Sequence, residues 1–210
     1  MTKNIIESMQ EQWIEFCRRN NCLGNPKEHF EKIRKQHLIP IRHYHTFDGH
    51  IPQGLEIFNE FKHLCENSDS VYYAWMNHDA IYDPKDKDNE EKSAEFAYHL
   101  AFRMGLPYTF AKAAHGLILA TKHLDLPKTT NEKLIVDIDL SIFGQPEPIF
   151  DAYEENIRKE YEFYPPEVYN PGRANILEMF KNRKPLYRTP QIREKYEKKA
   201  KENLQEVLKS

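Results

Sequence analysis

Apolar residues recur every three or four positions along most of the chain, the spacing that places side chains on one face of a helix. The pattern runs over residues 5–17, 55–64, 94–104, 110–124 and 192–208. Strand-like alternation bounded by hairpin turns does not occur in the sequence, and glycine is scarce, with 7 residues. The pattern therefore predicts an all-α fold.

Two short segments fit the helical pattern less clearly than the rest. Residues 71–75 and 134–138 are apolar runs rich in aromatic or β-branched side chains. Runs of this length suit a buried strand as well as part of a buried helix. Both have helical patterns on either side, and this context favours helix at both places.

The C-terminal third contains several prolines, which divide it into predicted helices and connections. Asn170 followed by Pro171 is typical of a helix N-cap and first turn, and a helix is therefore predicted over residues 173–183. Residues 164–172 and 184–190 are short and contain proline. They are predicted to be connections rather than domain linkers.

Length and charge limit the classes of function. A chain of 210 residues is the size of one domain with its own core. Lys and Arg number 30 against 33 Asp and Glu, so no global positive field favours duplex nucleic acid. No apolar run approaches the ~20 residues of a membrane span, and the first 12 residues lack the apolar segment of a secretory signal. A soluble protein with a cytoplasmic location is expected.

Histidine is abundant, with 10 residues, and several histidines lie beside carboxylates. Four places combine these residue types: His43 with His45 and His50, His78 with Asp79, His115 with His123, and Asp137 with Asp139. Imidazole and carboxylate together suit Mn, Mg, Fe, Co, Ni or Zn. Since residues two apart on a helix point about 200° apart, only one of the last two aspartates is expected to face a shared ion. The sequence therefore predicts a site for a divalent metal ion.

The order and spacing of these residues resemble the HD superfamily of metal-dependent phosphohydrolases. His50 precedes the His78-Asp79 pair by 28 positions, and a further aspartate follows about 60 positions later. A subgroup of predicted HD phosphohydrolases of about 200 residues is more closely similar, in residues 42–51, 74–83, 88–94, 120–123, 137–144, 157–161 and 172–177. The resemblance extends over roughly residues 9–208.

This resemblance implies a single-domain helical bundle of the HD type over residues 1–210, with a core at about 40–145 and C-terminal helices at 150–208 packed on it. It also implies one metal site. The implied ligands are His50, His78, Asp79 and Asp139, with Asp137 as the alternative to Asp139. The HD pattern favours Asp139 because its last ligand usually precedes a basic or apolar residue.

The implied activity is hydrolysis of a phosphate ester of a small molecule, a nucleotide being one option, by water that the metal activates. Glu90 or Asp83 is a candidate to orient water, and His123 is a candidate for proton transfer. Candidates for phosphate contact are Arg42, His45, Lys122, Arg158 and Arg173. His115 and His123, eight residues apart on a predicted helix, are candidates for a second ion, although a single ion is favoured.

Two other readings stay open at this point. Some helical HD-type sites hold two irons and activate oxygen, so a di-iron oxygenase is one alternative. A non-catalytic helical protein that binds a ligand or serves as a scaffold is the other. The expected partner is a small phosphorylated substrate, and a homodimer formed through the C-terminal helices is a further option.

Overall fold

The computed structural model describes residues 4–209, and this part of the chain contains ten α-helices, two short 3-10 turns and no strand. The helices are α1 (Ile5–Arg19), α2 (Pro26–Gln36), α3 (His50–Phe61), α4 (Ser68–Asn77), α5 (Asn89–Arg103), α6 (Tyr108–Ala120), α7 (Thr130–Asp139), α8 (Glu147–Glu160), α9 (Pro166–Asn182) and α10 (Pro190–Val207). The all-α prediction is confirmed. Residues 1–3, which belong to the segment judged to lack a secretory signal, lie outside the described residues.

Side-chain caps fix where several helices begin. Asn4, Asn25 and Asn67 each accept a hydrogen bond from a backbone N–H in the first turn of α1, α2 and α4. Thr129 and Glu132 form a capping box at the start of α7. These side chains satisfy backbone donors that a helix start leaves without an intrahelical partner.

Helix α4 lies at the centre of the molecule. Its residues 70–77 are all buried, which explains why this segment shows an apolar run instead of one apolar face. Tyr72 and Tyr73 of α4 pack with Trp13 and Phe16 of α1, with ring centroids 5.5 to 6.3 Å apart. The predicted helices at 71–75 and 134–138 are both present, in α4 and α7.

Helices α3 and α4 approach closely because α3 carries a glycine at the contact. A Cβ at Gly54 would lie 1.9 Å from the Trp75 ring, far inside van der Waals contact. The Trp75 indole donates a hydrogen bond of 2.9 Å to the Ile51 carbonyl, which fixes the two helices against each other. This contact places the start of α3 beside the end of α4.

The C-terminal helices pack against the segment that follows α7. The Tyr187 hydroxyl donates to the Leu140 carbonyl over 2.9 Å, and the Asn203 amide donates to the carbonyls of Phe143 and Gln145. These bonds join α10 and the connection before it to the 3-10 turn Leu140–Gly144. Within the described part of the chain, no helix combines the length and apolar content needed to cross a bilayer.

The prediction for residues 164–183 is wrong in its boundary. Helix α9 begins at Pro166 and carries Pro171 in its interior, so residues 166–172 are helical instead of a connection. Pro166 has the fixed φ that suits a first helical position. The helix therefore begins there and not at Asn170-Pro171. The interior Pro171 lacks the N–H that would bond to residue 167, a cost that α9 tolerates near its start.

Candidate metal centre

Four predicted ligands lie together where three helix ends meet. His50 is the first residue of α3, His78 caps the C-terminus of α4, and Asp139 is the last residue of α7. Asp79 follows His78 directly. Both imidazoles are buried, and the carboxylate side chains of Asp79 and Asp139 are 16% and 21% exposed, which leaves the cluster accessible from one side.

The two shortest distances within this cluster match those between ligands of one ion, and the distances from the imidazoles to Asp139 are somewhat longer. The Nε2 atoms of His50 and His78 are 3.1 Å apart. Oδ2 of Asp79 is 3.0 Å from His78 Nε2 and 3.5 Å from His50 Nε2. Oδ1 of Asp139 is 3.9 and 3.7 Å from the same two atoms. Donors that lie about 2.1 Å from a shared ion are about 3.0–3.4 Å apart at octahedral or tetrahedral angles.

His50, His78 and Asp139 thus form a group that could hold a metal ion, and Asp79 lies closer to both imidazoles than Asp139 does. Each imidazole is oriented by a hydrogen bond at its other nitrogen. Nδ1 of His78 donates to the Trp75 carbonyl over 2.8 Å, so in the neutral ring Nε2 carries the lone pair. Nδ1 of His50 lies 3.0 Å from the Tyr44 hydroxyl. Such bonds are the usual support of ligating histidines.

Burial and charge set the protonation of this cluster. Burial lowers the pKa of His50 to about 3, and the neighbouring His78 adds to this effect. Burial alone would lower the pKa of His78 as well, but the carboxylates of Asp79 and Asp139 raise it to about 9. Burial would raise the pKa of Asp79, yet His78 holds it well below its usual range. A divalent cation would therefore replace the proton of His78.

Asp137 lies apart from the cluster. It is fully buried, and its carboxylate accepts hydrogen bonds from the backbone N–H groups of Arg188 and Thr189. Burial raises its pKa to about 6. Because Asp137 and Asp139 point to opposite sides of α7, the first ties the chain before α10 to α7 and the second faces the imidazoles.

A second buried network supports His45 next to the cluster. The Glu160 carboxylate, at the end of α8, accepts hydrogen bonds from the backbone N–H groups of residues 43, 44 and 45 over 2.7 to 2.9 Å. It also bonds to Nδ1 of His45 and to the Tyr82 hydroxyl, both over 2.6 Å. Burial alone would raise the pKa of Glu160, but His45 and these hydrogen bonds lower it to about 2.

The sequence interpretation assigned no role to Glu160. Glu160 lies in the resembling segment 157–161, and that segment is the one sequence signal that pointed to it. Its partners in residues 43–45 are 115 to 117 residues away along the chain, and Tyr82 is 78 residues away. Only the packing of α8 against the segment before α3 brings them together, and local patterns do not report such packing.

His123 contacts the cluster through one of its carboxylates. Its Nε2 lies 2.7 Å from Oδ2 of Asp139, the oxygen that does not face the imidazoles. His115 does not share this location, since its Nε2 lies 3.5 Å from Glu95 instead. The two histidines were expected on one helix, but α6 ends at Ala120 and His123 adopts a positive φ of 59°, which removes the assumed helical geometry.

Three other candidates serve the local structure. The Arg42 guanidinium is buried and donates to the carbonyls of His45, Gln36, Asp79 and Ala80. Arg158 donates to the carbonyls of Tyr161 and Tyr164. Asp83 is exposed and accepts from the N–H of Lys85. Neither arginine nor Asp83 lines the cavity described next, so their predicted roles in substrate contact and water orientation gain no support.

Three members of the cluster line a cavity of about 710 Å³. His78, Asp79 and Asp139 line it together with His45 and His123. The predicted contacts Glu90, Lys122 and Arg173 also line it. Lys122 pairs with Glu91, and Arg173 pairs with Glu154 over 2.5 Å. A volume of this size suits a small organic molecule.

Comparisons with known proteins do not identify a family. No family model matches the chain. No curated protein and no solved structure gives a significant match either. The HD resemblance is therefore an interpretation of the sequence motifs, whereas the all-α fold and the cluster of His50, His78 and Asp139 are features of the structure.

Proposed function

We propose that this chain is a metal-dependent hydrolase that cleaves a phosphate ester of a small molecule. The supporting observation is the convergence of two imidazole Nε2 atoms and two carboxylates, three of whose residues, His78, Asp79 and Asp139, line a cavity of about 710 Å³. This donor set suits Mn, Mg, Fe, Co, Ni or Zn. A divalent cation bound there supplies Lewis acidity toward a phosphate oxygen and activation of water.

The chain would hold that cation with His50, His78, Asp79 and Asp139. The Trp75 carbonyl and the Tyr44 hydroxyl orient the imidazoles, and His123 orients Asp139 through its second oxygen. Loss of such supporting bonds typically costs about 10- to 100-fold in metal affinity or activity. The surrounding residues therefore belong to the site as much as the ligands do.

His45 is the best-placed acid for the leaving group. Its Nδ1 is bonded to Glu160 and the residue lines the cavity, so Nε2 is the nitrogen left to donate a proton to the ester oxygen. Burial alone would lower the pKa of His45, but Glu160 raises it above its usual range. The charged imidazole, which can donate that proton, is thus favoured near neutral pH.

In this proposal Glu90 acts on the attacking water, and Lys122 acts on the phosphate of the substrate. Burial raises the pKa of Glu90, which makes this carboxylate a better proton acceptor for an attacking water. Lys122 reaches the same cavity, and its charge favours a phosphate oxygen nearby. Arg173 is held by Glu154 and the Tyr153 hydroxyl and contributes a fixed positive charge to the wall.

The test is phosphate release from metal-stripped protein reloaded with each of the six metals. We expect at least one metal to restore hydrolysis of phosphomonoesters or diesters, and His78→Ala to lower it by at least about 100-fold. His99→Ala is the matched control, because His99 is exposed and does not line the cavity. Absence of hydrolysis with every metal would contradict the proposal and favour a non-catalytic ligand-binding protein. About two irons per chain with oxygen consumption would favour the di-iron alternative.

A further inference from the structure

Part of the lining of the cavity is an apolar wall. It includes Leu124, Tyr164, Val168, Ile176 and Met179, whose side chains remain 79%, 39%, 53%, 46% and 45% exposed. Large apolar side chains that stay exposed beside a polar cluster are typical of a ligand-binding surface. Because the wall and the cluster line one cavity, a molecule held at the metal ligands would extend along this wall.

Helix α9 supplies most of this wall from a single face. Val168, Gly172, Ile176 and Met179 follow the spacing of neighbours on one side of a helix, and all four line the cavity. Only Leu177 and Phe180 of α9 are buried in the protein. A Cβ at Gly172 would meet no atom within 4 Å, so this glycine leaves open space in the middle of the apolar face.

The charged residues of the cavity limit the number of phosphate groups it can hold. Among residues 4–209, three lysines and arginines line it, of which Lys122 is paired with Glu91 and Arg173 with Glu154. The third, Lys87, is exposed. The carboxylate of Glu90 lines the same cavity and would repel additional phosphates. The site is therefore suited to one phosphate group rather than to a polyphosphate.

We infer that the substrate is a phosphomonoester with a single phosphate group whose alcohol part is aromatic or otherwise apolar. This inference rests on the proposed function for its phosphate end and on the α9 wall for its organic end. In the reaction, the oxygen of water bonds to phosphorus and the P–O ester bond breaks. The leaving alkoxide takes one proton, so the products are inorganic phosphate and the free alcohol.

The test measures equilibrium binding of two inert phosphonates to Mn²⁺-loaded protein by calorimetry. We expect naphthylmethylphosphonate to bind at least about 10-fold more tightly than methylphosphonate, because the wall removes its rings from water. Gly172→Met should abolish this preference by filling the open space, while methylphosphonate still binds. Methionine favours helix over glycine, so the variant is expected to fold. Gly116→Met is the matched control, since Gly116 is also an exposed helical glycine with open space around it, outside the cavity.

The outcomes separate this inference from the proposed function. Equal affinities for the two phosphonates would overturn the inferred substrate class and leave the hydrolase proposal standing. Retention of the preference in Gly172→Met would also overturn it. The inferred substrate class would also be overturned if Gly172→Met dissociates a homodimer in sedimentation and leaves the preference unchanged. In that case α9 would bind a second copy of this chain. Tripolyphosphate binding more than about 10-fold tighter than phosphate, with Mn²⁺ in excess, would overturn the single-phosphate part. Naphthylmethylphosphonate binding without any ester hydrolysis would support the wall and contradict the hydrolase.

Discussion

Two buried residues of this protein, His37 and Glu160, are held in different charge states by their surroundings. His37 is buried, and its Nδ1 bonds to the Ile33 carbonyl over 3.0 Å. Glu160 is equally buried but accepts five hydrogen bonds. The first residue is kept neutral by its surroundings and the second is kept ionised, so the two shape the dependence of stability on pH in different ranges.

His37 makes stability fall as the solution becomes acidic. Burial, assisted by the charge of Arg42, lowers its pKa to about 4 from 6.5. Between these values the unfolded chain binds a proton that the folded protein does not, so stability is lost as the pH falls from 6.5 towards 4. The free energy of unfolding in urea should fall between pH 7 and pH 5 in the wild type. We predict that this fall is smaller by about 2 kcal/mol in His37→Gln. Equal drops would contradict this assignment.

Glu160 acts in a more acidic range with the same proton balance, because the unfolded chain again binds a proton that the folded protein does not. Its pKa is about 2 in the folded protein and 4.5 ordinarily, so its contribution is present above pH 4.5 and is lost as the pH falls towards 2. Glu160→Gln replaces an acceptor oxygen by an amide donor that faces N–H groups. We predict a loss of about 2 kcal/mol or more at pH 7, measured by urea unfolding. Glu162→Gln, at an exposed neighbouring position, is the control.

At the scale of elements, the close approach of α3 and α4 positions the two histidine ligands. Gly54 permits that approach, because any side chain there would overlap the Trp75 ring. We predict that Gly54→Ala destabilises the fold by about 1–3 kcal/mol, the usual cost of overpacking, and weakens metal binding. Gly116→Ala meets open space and should stabilise slightly through helix propensity. Comparable urea midpoints for the two variants would show that α3 can shift freely.

The start of α7 offers a second test at this scale, because α7 carries Asp139. The Thr129 hydroxyl accepts from the Glu132 N–H over 3.1 Å in the capping box. Thr129→Ala should lower stability by about 1 kcal/mol, the typical cost of a lost cap. Thr129→Ser keeps the hydroxyl and should retain most of that stability, and thermal unfolding of the two variants makes the comparison.

Helices could be predicted from the sequence wherever one apolar face repeats, and context sufficed for the buried segments 71–75 and 134–138. The start of α9 could not, because the sequence offers two proline-containing start signals, at Pro166 and Pro171, and local chemistry does not rank them. Residue type pointed to several candidate places, and the resemblance to the HD superfamily implied His50, His78 and Asp139 among them. Glu160 was assigned no role because its partners depend on tertiary packing.

At the scale of the whole molecule, residues of the cluster, of the His45 network and of the α9 wall line a single cavity. Each part comes from a different stretch of the chain, so folding must precede any binding. A ligand that binds only the folded state raises the unfolding temperature. A divalent metal should therefore stabilise the wild type and leave His78→Ala unchanged.

The most direct test of the proposed metal site is the metal content of three proteins after chelation, reloading and removal of excess ion. We predict about one divalent ion per chain in the wild type and in Asp137→Asn, because Asp137 bonds to backbone N–H groups away from the cluster. Asp139→Asn should lose most of the bound ion. Equal metal content in the two aspartate variants, or no bound ion in the wild type, would contradict the site at His50, His78, Asp79 and Asp139.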